Sequence, residues 1–112
     1  MIIGIGTDIV ENKRFSAQKE GLLERLFTAY EIEESKKRVN KAEYFASRYA
    51  AKEAASKALG SGFRSLSPLD IEIREDDLGK PYLVVKGKES LSFHLSISHE
   101  REYSVAMVVI DG

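Results

Sequence analysis

Ala42-Glu43-Tyr44-Phe45-Ala46-Ser47-Arg48-Tyr49-Ala50-Ala51-Lys52-Glu53-Ala54-Ala55-Ser56-Lys57-Ala58-Leu59 is the stretch on which the fold turns. It is rich in Ala, Glu and Lys and contains neither Gly nor Pro, so it reads as one long helix. Asn40 is placed to cap its start and Gly60 to end it. Phe45, Tyr49 and Leu59 supply bulk, while Ala42, Ala46 and Ala50 form a stripe of small side chains that admits close packing. Positions 46, 50, 53 and 57 continue that stripe, which sets Glu53 and Lys57 at the edge of the packed face.

Upstream, Met1 to Val10 reads as a strand interrupted by Gly4 and Gly6, glycines that mark a bulge or a close backbone approach. Leu22, Leu23, Leu26 and Phe27 predict a short amphipathic helix. Thr28 and Glu31 form a capping box for a second helix, Ala29 to about Arg38. Downstream the period changes to two. Ile71 and Ile73, a turn at Asp76-Asp77-Leu78-Gly79, and Tyr82 to Lys86 predict a hairpin. Phe93, Leu95 and Ile97 alternate with polar residues, and Val105 to Ile110 reads as a strand buried on both faces. The expected fold is α+β: one domain over residues 1–112, an antiparallel sheet with one long helix packed on it, plus short helices. An apolar face left over in so small a chain is expected to be buried between subunits.

The 112 residues carry 17 basic and 18 acidic side chains, a net charge of -1, which disfavours tail-like nucleic-acid binding. The absence of Cys excludes disulfides, thiolate metal sites and cysteine nucleophiles. No apolar run approaches the roughly 20 residues of a membrane span, and the start lacks the features of a signal peptide. The expected location is the cytoplasm. Glycine-rich phosphate loops, a dinucleotide fingerprint, an HExxH zinc motif and a nucleophile elbow are all absent.

Charge is nevertheless uneven. From Lys36 to Lys57 seven basic residues face only Glu43 and Glu53, a local positive field suited to phosphates. Arg48 and Lys52 are four apart and stack as like charges. These charges read either as a solvated helix face or as a polyphosphate site with a carboxylate-held cation. Magnesium bound to phosphates needs only one or two protein carboxylates. Asp8 and Glu53 are the candidates, the alternative for Asp8 being a strand-end acid that caps a turn or pairs with a lysine. His99 ends a strand where its side chain reaches a cleft or a surface turn, and His94 reads as a polar-face strand residue. Gly79-Lys80-Pro81 is a basic turn that serves an anion or simply closes a hairpin.

Five segments in order resemble the small bacterial 4′-phosphopantetheinyl transferase family, the holo-[acyl-carrier-protein] synthases. They are Gly4-Ile5-Gly6-Thr7-Asp8-Ile9, the Arg48 to Ala58 stretch, Leu69-Asp70-Ile71-Glu72-Ile73, Gly79-Lys80-Pro81-Tyr82 and Leu95-Ser96-Ile97-Ser98-His99. The resemblance implies transfer of the phosphopantetheine arm of coenzyme A to a serine of an apo acyl carrier protein. Adenosine 3′,5′-bisphosphate leaves, magnesium is required, and the reaction supports fatty acid biosynthesis.

It also implies roles. Asp8 and Glu53 hold the metal, and Lys57 stabilises or protonates the leaving group. Arg48, Lys52, His99 and the Gly79-Lys80-Pro81 turn contact coenzyme A. Glu53, directly or through a water, is the candidate general base. Arg14 and Arg25, with Lys13, meet the acidic carrier, although Ser16 to Glu24 carries only Lys19. A homotrimer with sites between subunits is implied as well. Tyr49 stands where Trp or Phe is common, adding a hydroxyl that needs a partner. The competing reading is a non-enzymatic module that holds a nucleotide or RNA on the basic stretch.

Overall fold

In the computed structural model, residues 1–17, 20–60 and 66–112 are described. Lys19, expected near the carrier surface, lies outside them. The chain runs β1 (Ile2–Glu11), a 3-10 turn (Asn12–Phe15), α1 (Glu20–Leu26), α2 (Ala29–Ser35), α3 (Lys41–Leu59), a second 3-10 turn (Pro68–Asp70), then β2 (Ile71–Glu75), β3 (Pro81–Val85), β4 (Ser92–His99) and β5 (Tyr103–Asp111).

α3 starts and stops where its caps dictate. The Asn40 side chain accepts a hydrogen bond from the Glu43 amide at 3.0 Å. Gly60 adopts φ 79°, a left-handed conformation that glycine takes without a Cβ penalty, and its amide donates to the Lys57 carbonyl. α2 opens with the expected capping box between Thr28 and Glu31, but closes at Ser35 rather than near Arg38.

The strands form two antiparallel sheets instead of the single one expected. β1, β5 and β4 make a three-stranded sheet in the order β1-β5-β4, and β2 pairs with β3 alone. The hairpin β2–β3 lies beside β4 without joining its hydrogen-bond ladder.

Helix α3 crosses the inner face of the three-stranded sheet. Gly4 and Gly6 are what permit this contact: a Cβ at Gly4 would overlap the Ala58 carbonyl oxygen, and one at Gly6 the Ala54 carbonyl oxygen. The two glycines therefore mark a close backbone approach, with a register shift between Ile2 and Gly4 besides. Ala46, Ala50, Ala54, Ala106, Val108 and Ile110 are buried at this layer. Phe15, Phe27 and Phe45 pack together at its N-terminal end, Phe27 and Phe45 with ring centroids 4.7 Å apart.

The other face of the sheet is apolar and open. Ile5 is 65% and Ile9 61% exposed, beside Val105 and Met107. β5 is thus buried on one face only, correcting the two-sided burial expected for Val105 to Ile110. Its residues are apolar on both sides, and a single chain has only one helix layer with which to cover them.

Candidate active site

Asp8 reaches the site because it continues the inward face that begins with Gly4 and Gly6. In a strand, alternate residues share a face, so residue 8 points to the same side as the glycines that touch α3. Lys57 arrives from the last turns of α3. Its Nζ lies 3.0 Å from Asp8 Oδ1 and donates to the Thr7 carbonyl at 3.0 Å. Asp8 is thus the lysine-paired acid that was one reading of it. The pair remains open to solvent, Lys57 more than Asp8.

Glu53 stands one helical turn before Lys57 on the same side of α3. The Tyr49 hydroxyl is pushed up in pKa, first by burial and then by its hydrogen bond with the Glu53 carboxylate. The Tyr49 hydroxyl thus has the partner it was expected to need. The Arg14 guanidinium sits 5.0 Å over the Tyr49 ring. Among the described residues no group of three or more His, Cys, Asp or Glu side chains is placed to hold a metal. The ligands expected from the sequence are only two, the carboxylates of Asp8 and Glu53. Both offer hard oxygen ligands, and both are only partly buried. That set fits magnesium, which takes few protein ligands when phosphates supply the rest.

A second cluster forms on another side of α3. A cavity of about 240 Å³ is lined by Arg38, Val39, Asn40, Glu43, Tyr44, Ser47, Arg48 and His99. Arg48 and Arg38 stack on the Tyr44 ring, 4.3 and 4.8 Å from its centroid, and both pair with Glu75 at the end of β2. Burial pushes the Tyr44 hydroxyl up to about 12. His99 Nδ1 faces Glu43 Oε1 at 3.2 Å. Arg48 and Lys57 are nine positions apart, about two and a half turns of helix, so the two side chains leave α3 on opposite sides.

Lys52 requires a correction. It was expected to hold a phosphate, yet its side chain has no exposed surface. An ammonium has three donors. Its Nζ meets the Leu26 carbonyl at 2.9 Å, the Pro68 carbonyl at 2.8 Å and Glu31 Oε1 at 2.7 Å. No donor is left for a ligand. Glu31 is equally buried; besides Lys52 it accepts from the Thr28 amide and, through Oε2, from the Ile73 amide at 2.7 Å. This hub ties α2, α3, β2 and the Pro68 turn together. The like-charge stacking of Arg48 and Lys52 is relieved by acids from elsewhere, Glu75 and Glu31. Neither cation belongs to a solvated helix face.

The remaining expected residues sit apart. Gly79-Lys80-Pro81 forms the β2–β3 turn, with Gly79 at φ 83°, and does not line the Arg48 cavity. His94 lies on the exposed face of β4, as expected. Arg14 and Arg25 are exposed, the latter in the last turn of α1, and Lys13 pairs with Glu11.

Sequence reasoning missed Arg38, Tyr44 and Glu75 at the cavity. It also saw Glu31 only as a cap. The signal for Glu31 was a carboxylate at a helix start in a segment whose next helix buries a lysine.

Residues 4–108 match the family model of the 4′-phosphopantetheinyl transferase superfamily. A holo-[acyl-carrier-protein] synthase of Fusobacterium nucleatum is 46% identical over 98% of this chain and 99% of its own. One of Bacillus subtilis is 45% identical over 99% and 97% respectively. Among solved structures, a holo-(acyl-carrier-protein) synthase from Bacillus anthracis in complex with CoA (3′,5′-ADP) superposes with TM-score 0.89 at 44% identity, covering 98% of this chain and 96% of that one. The Helicobacter pylori holo-[acyl-carrier-protein] synthase in complex with coenzyme A gives TM-score 0.84 at 34% identity, over 96% and 99%. The fold, the strand-borne acid beside the α3 lysine and these full-length matches agree: the chain belongs to the 4′-phosphopantetheinyl transferase superfamily, in its family of holo-[acyl-carrier-protein] synthases.

Proposed function

We propose that this protein transfers the 4′-phosphopantetheine arm of coenzyme A to a serine of an apo acyl carrier protein, with magnesium, in support of fatty acid biosynthesis in the cytoplasm. The observation that carries this is the Asp8–Lys57 pair at the β1–α3 contact, with Glu53 one turn away, in a chain homologous to such synthases end to end. No helix among the described residues is long and apolar enough to cross a membrane.

The carrier serine oxygen forms a bond to the phosphorus bearing the pantetheine arm. The anhydride bond to the nucleotide phosphate breaks, and adenosine 3′,5′-bisphosphate departs. Asp8 and Glu53 would hold magnesium, which supplies neutralisation of charge on the phosphates. Glu53, directly or through a water that it orients, takes the proton of the serine hydroxyl. The Lys57 ammonium, held at Asp8 until substrate enters, donates to the leaving phosphate oxygen. Arg48 and His99 hold another phosphate of the nucleotide. Lys80, in its exposed turn, adds a cation to coenzyme A. Arg14 and Arg25 face the acidic carrier.

Because Arg48 and Lys57 leave α3 on opposite sides, one chain does not present both clusters to one nucleotide. The homotrimer that the family resemblance implies answers this with a site that combines the Asp8 cluster of one copy with the Arg48 cavity of the next. The open apolar face of Ile5, Ile9, Val105 and Met107 supports such assembly.

The test is carrier modification by Asp8→Asn and Glu53→Gln. Both are expected to keep the wild-type melting profile and lose transfer. Transfer at the wild-type rate in either would remove the metal assignment.

A further inference from the structure

The two guanidiniums of the nucleotide cavity are already engaged by a carboxylate of the protein itself. Arg38 Nη2 lies 2.6 Å from Glu75 Oε1, and Arg48 Nη2 lies 3.2 Å from Glu75 Oε2. Each oxygen of one carboxylate thus meets a different guanidinium, and each guanidinium is braced against the Tyr44 ring. Paired guanidiniums on the oxygens of one anion are also the arrangement that holds a phosphate. The three residues come from three places: Arg38 from the link between α2 and α3, Arg48 from α3, Glu75 from the end of β2.

The rest of the cavity repeats the pattern. His99 faces Glu43 at 3.2 Å. Two arginines are set against two glutamates, so the cavity presents little net charge to an arriving anion. Yet Arg48 is the more deeply buried cation, and its Nε has no hydrogen-bond partner. A buried donor without an acceptor costs free energy in the free protein. Glu75 therefore satisfies the arms of the arginines without saturating them.

We propose that Glu75 is a resident competitor, a residue that sets affinity for the phosphate donor by holding Arg38 and Arg48 until a phosphate displaces it. This deepens the nucleotide reading above and rests on it. Donor affinity is then the difference between two anions on the same two cations. A ligand lacking the phosphate that enters this cavity has nothing with which to displace Glu75. The acid acts through the arginines and touches no reacting atom, so it affects binding of donor and product, not the chemical step.

The amide variant Glu75→Gln keeps size and one accepting oxygen while removing the competing charge. Binding of adenosine 3′,5′-bisphosphate, measured by titration calorimetry on the intact assembly, is expected to tighten about tenfold, the scale for one partly exposed charge a few ångströms from a phosphate. The KM for coenzyme A falls with it, and kcat does not rise, because the gain is shared by ground and transition states. A role in merely aligning the arginines predicts the reverse, weaker binding on losing the acid. Unchanged or weaker binding in Glu75→Gln, with the wild type binding normally, overturns the proposal and leaves the nucleotide reading standing. Binding by neither protein overturns both. Glu75→Ser, which removes the carboxylate outright, repeats the test if the amide variant does not fold, and tightening is again the expected result.

Discussion

Replacing Lys52 by Met separates a structural role for that lysine from the phosphate-holding role its position in the motif implies. The methionine fills the shaft of the side chain but removes the ammonium that joins Glu31 to the Leu26 and Pro68 carbonyls. Glu31 keeps the Thr28 and Ile73 amides and remains a fully buried carboxylate without its counter-ion. Breaking one side of a buried pair costs about 3–5 kcal/mol. That is a large share of the roughly 5–15 kcal/mol by which a domain is stable. Urea unfolding followed by circular dichroism reads the loss as a lower midpoint. The double variant Lys52→Met/Glu31→Gln is expected to regain much of it, since the amide carries no charge to strand, and the cycle isolates the pair.

Burial holds the Lys52 ammonium below its ordinary range, with Glu31 opposing. The folded state therefore binds fewer protons than the unfolded one between that lowered value and 10.5, so wild-type stability gains with pH across that window. Lys52→Met removes this gain. A loss under about 1 kcal/mol, the scale of an exposed pair, would refute the buried hub. So would intact stability accompanied by lost nucleotide binding.

Gly6→Ala is expected to lower stability by about 1–3 kcal/mol, as overpacking does, because its Cβ meets the Ala54 carbonyl. It should also reduce transfer by displacing Asp8 from Lys57, and an unchanged urea midpoint would contradict the close β1–α3 contact. Burial pushes the Tyr44 phenol up to about 12, so it stays protonated in the folded state while an unfolded phenol ionises near 10. This group's contribution to stability is lost as pH rises from about 10 towards 12, and the absorbance titration of Tyr44→Phe should lack the step at highest pH. Ile5→Glu places a charge on the open apolar face of β1, and sedimentation should find folded monomer without transfer activity. A trimer of undiminished activity would show that this face is not the contact between copies.

Elements with a local cause were readable from the residues. α3 is bounded by Asn40 and Gly60, and both act where their chemistry places them. The Thr28–Glu31 box and the turn before Pro81 are equally local. Gly4 and Gly6 announced a close approach, though not which helix would make it.

What stayed hidden depends on residues distant in sequence. Periodicity shows that Val105 to Ile110 is apolar on both sides, but not that a single helix layer leaves one side open. Five strands were visible, yet their division into two sheets is a matter of pairing partners. Lys52 looked like Arg48, a cation on the same helix. Only the arrival of Glu31, 21 positions earlier, makes it a buried strut. Glu75 carries no signal in the sequence, and its role shows only where two arginines converge on it.

Intact mass of an apo acyl carrier protein, after incubation with this protein and coenzyme A, tests the central claim most directly. The account predicts a gain of one phosphopantetheine arm on the carrier serine when magnesium is present, and no gain when the metal is chelated. A carrier of unchanged mass in the presence of magnesium, from a protein that still binds coenzyme A, would contradict it.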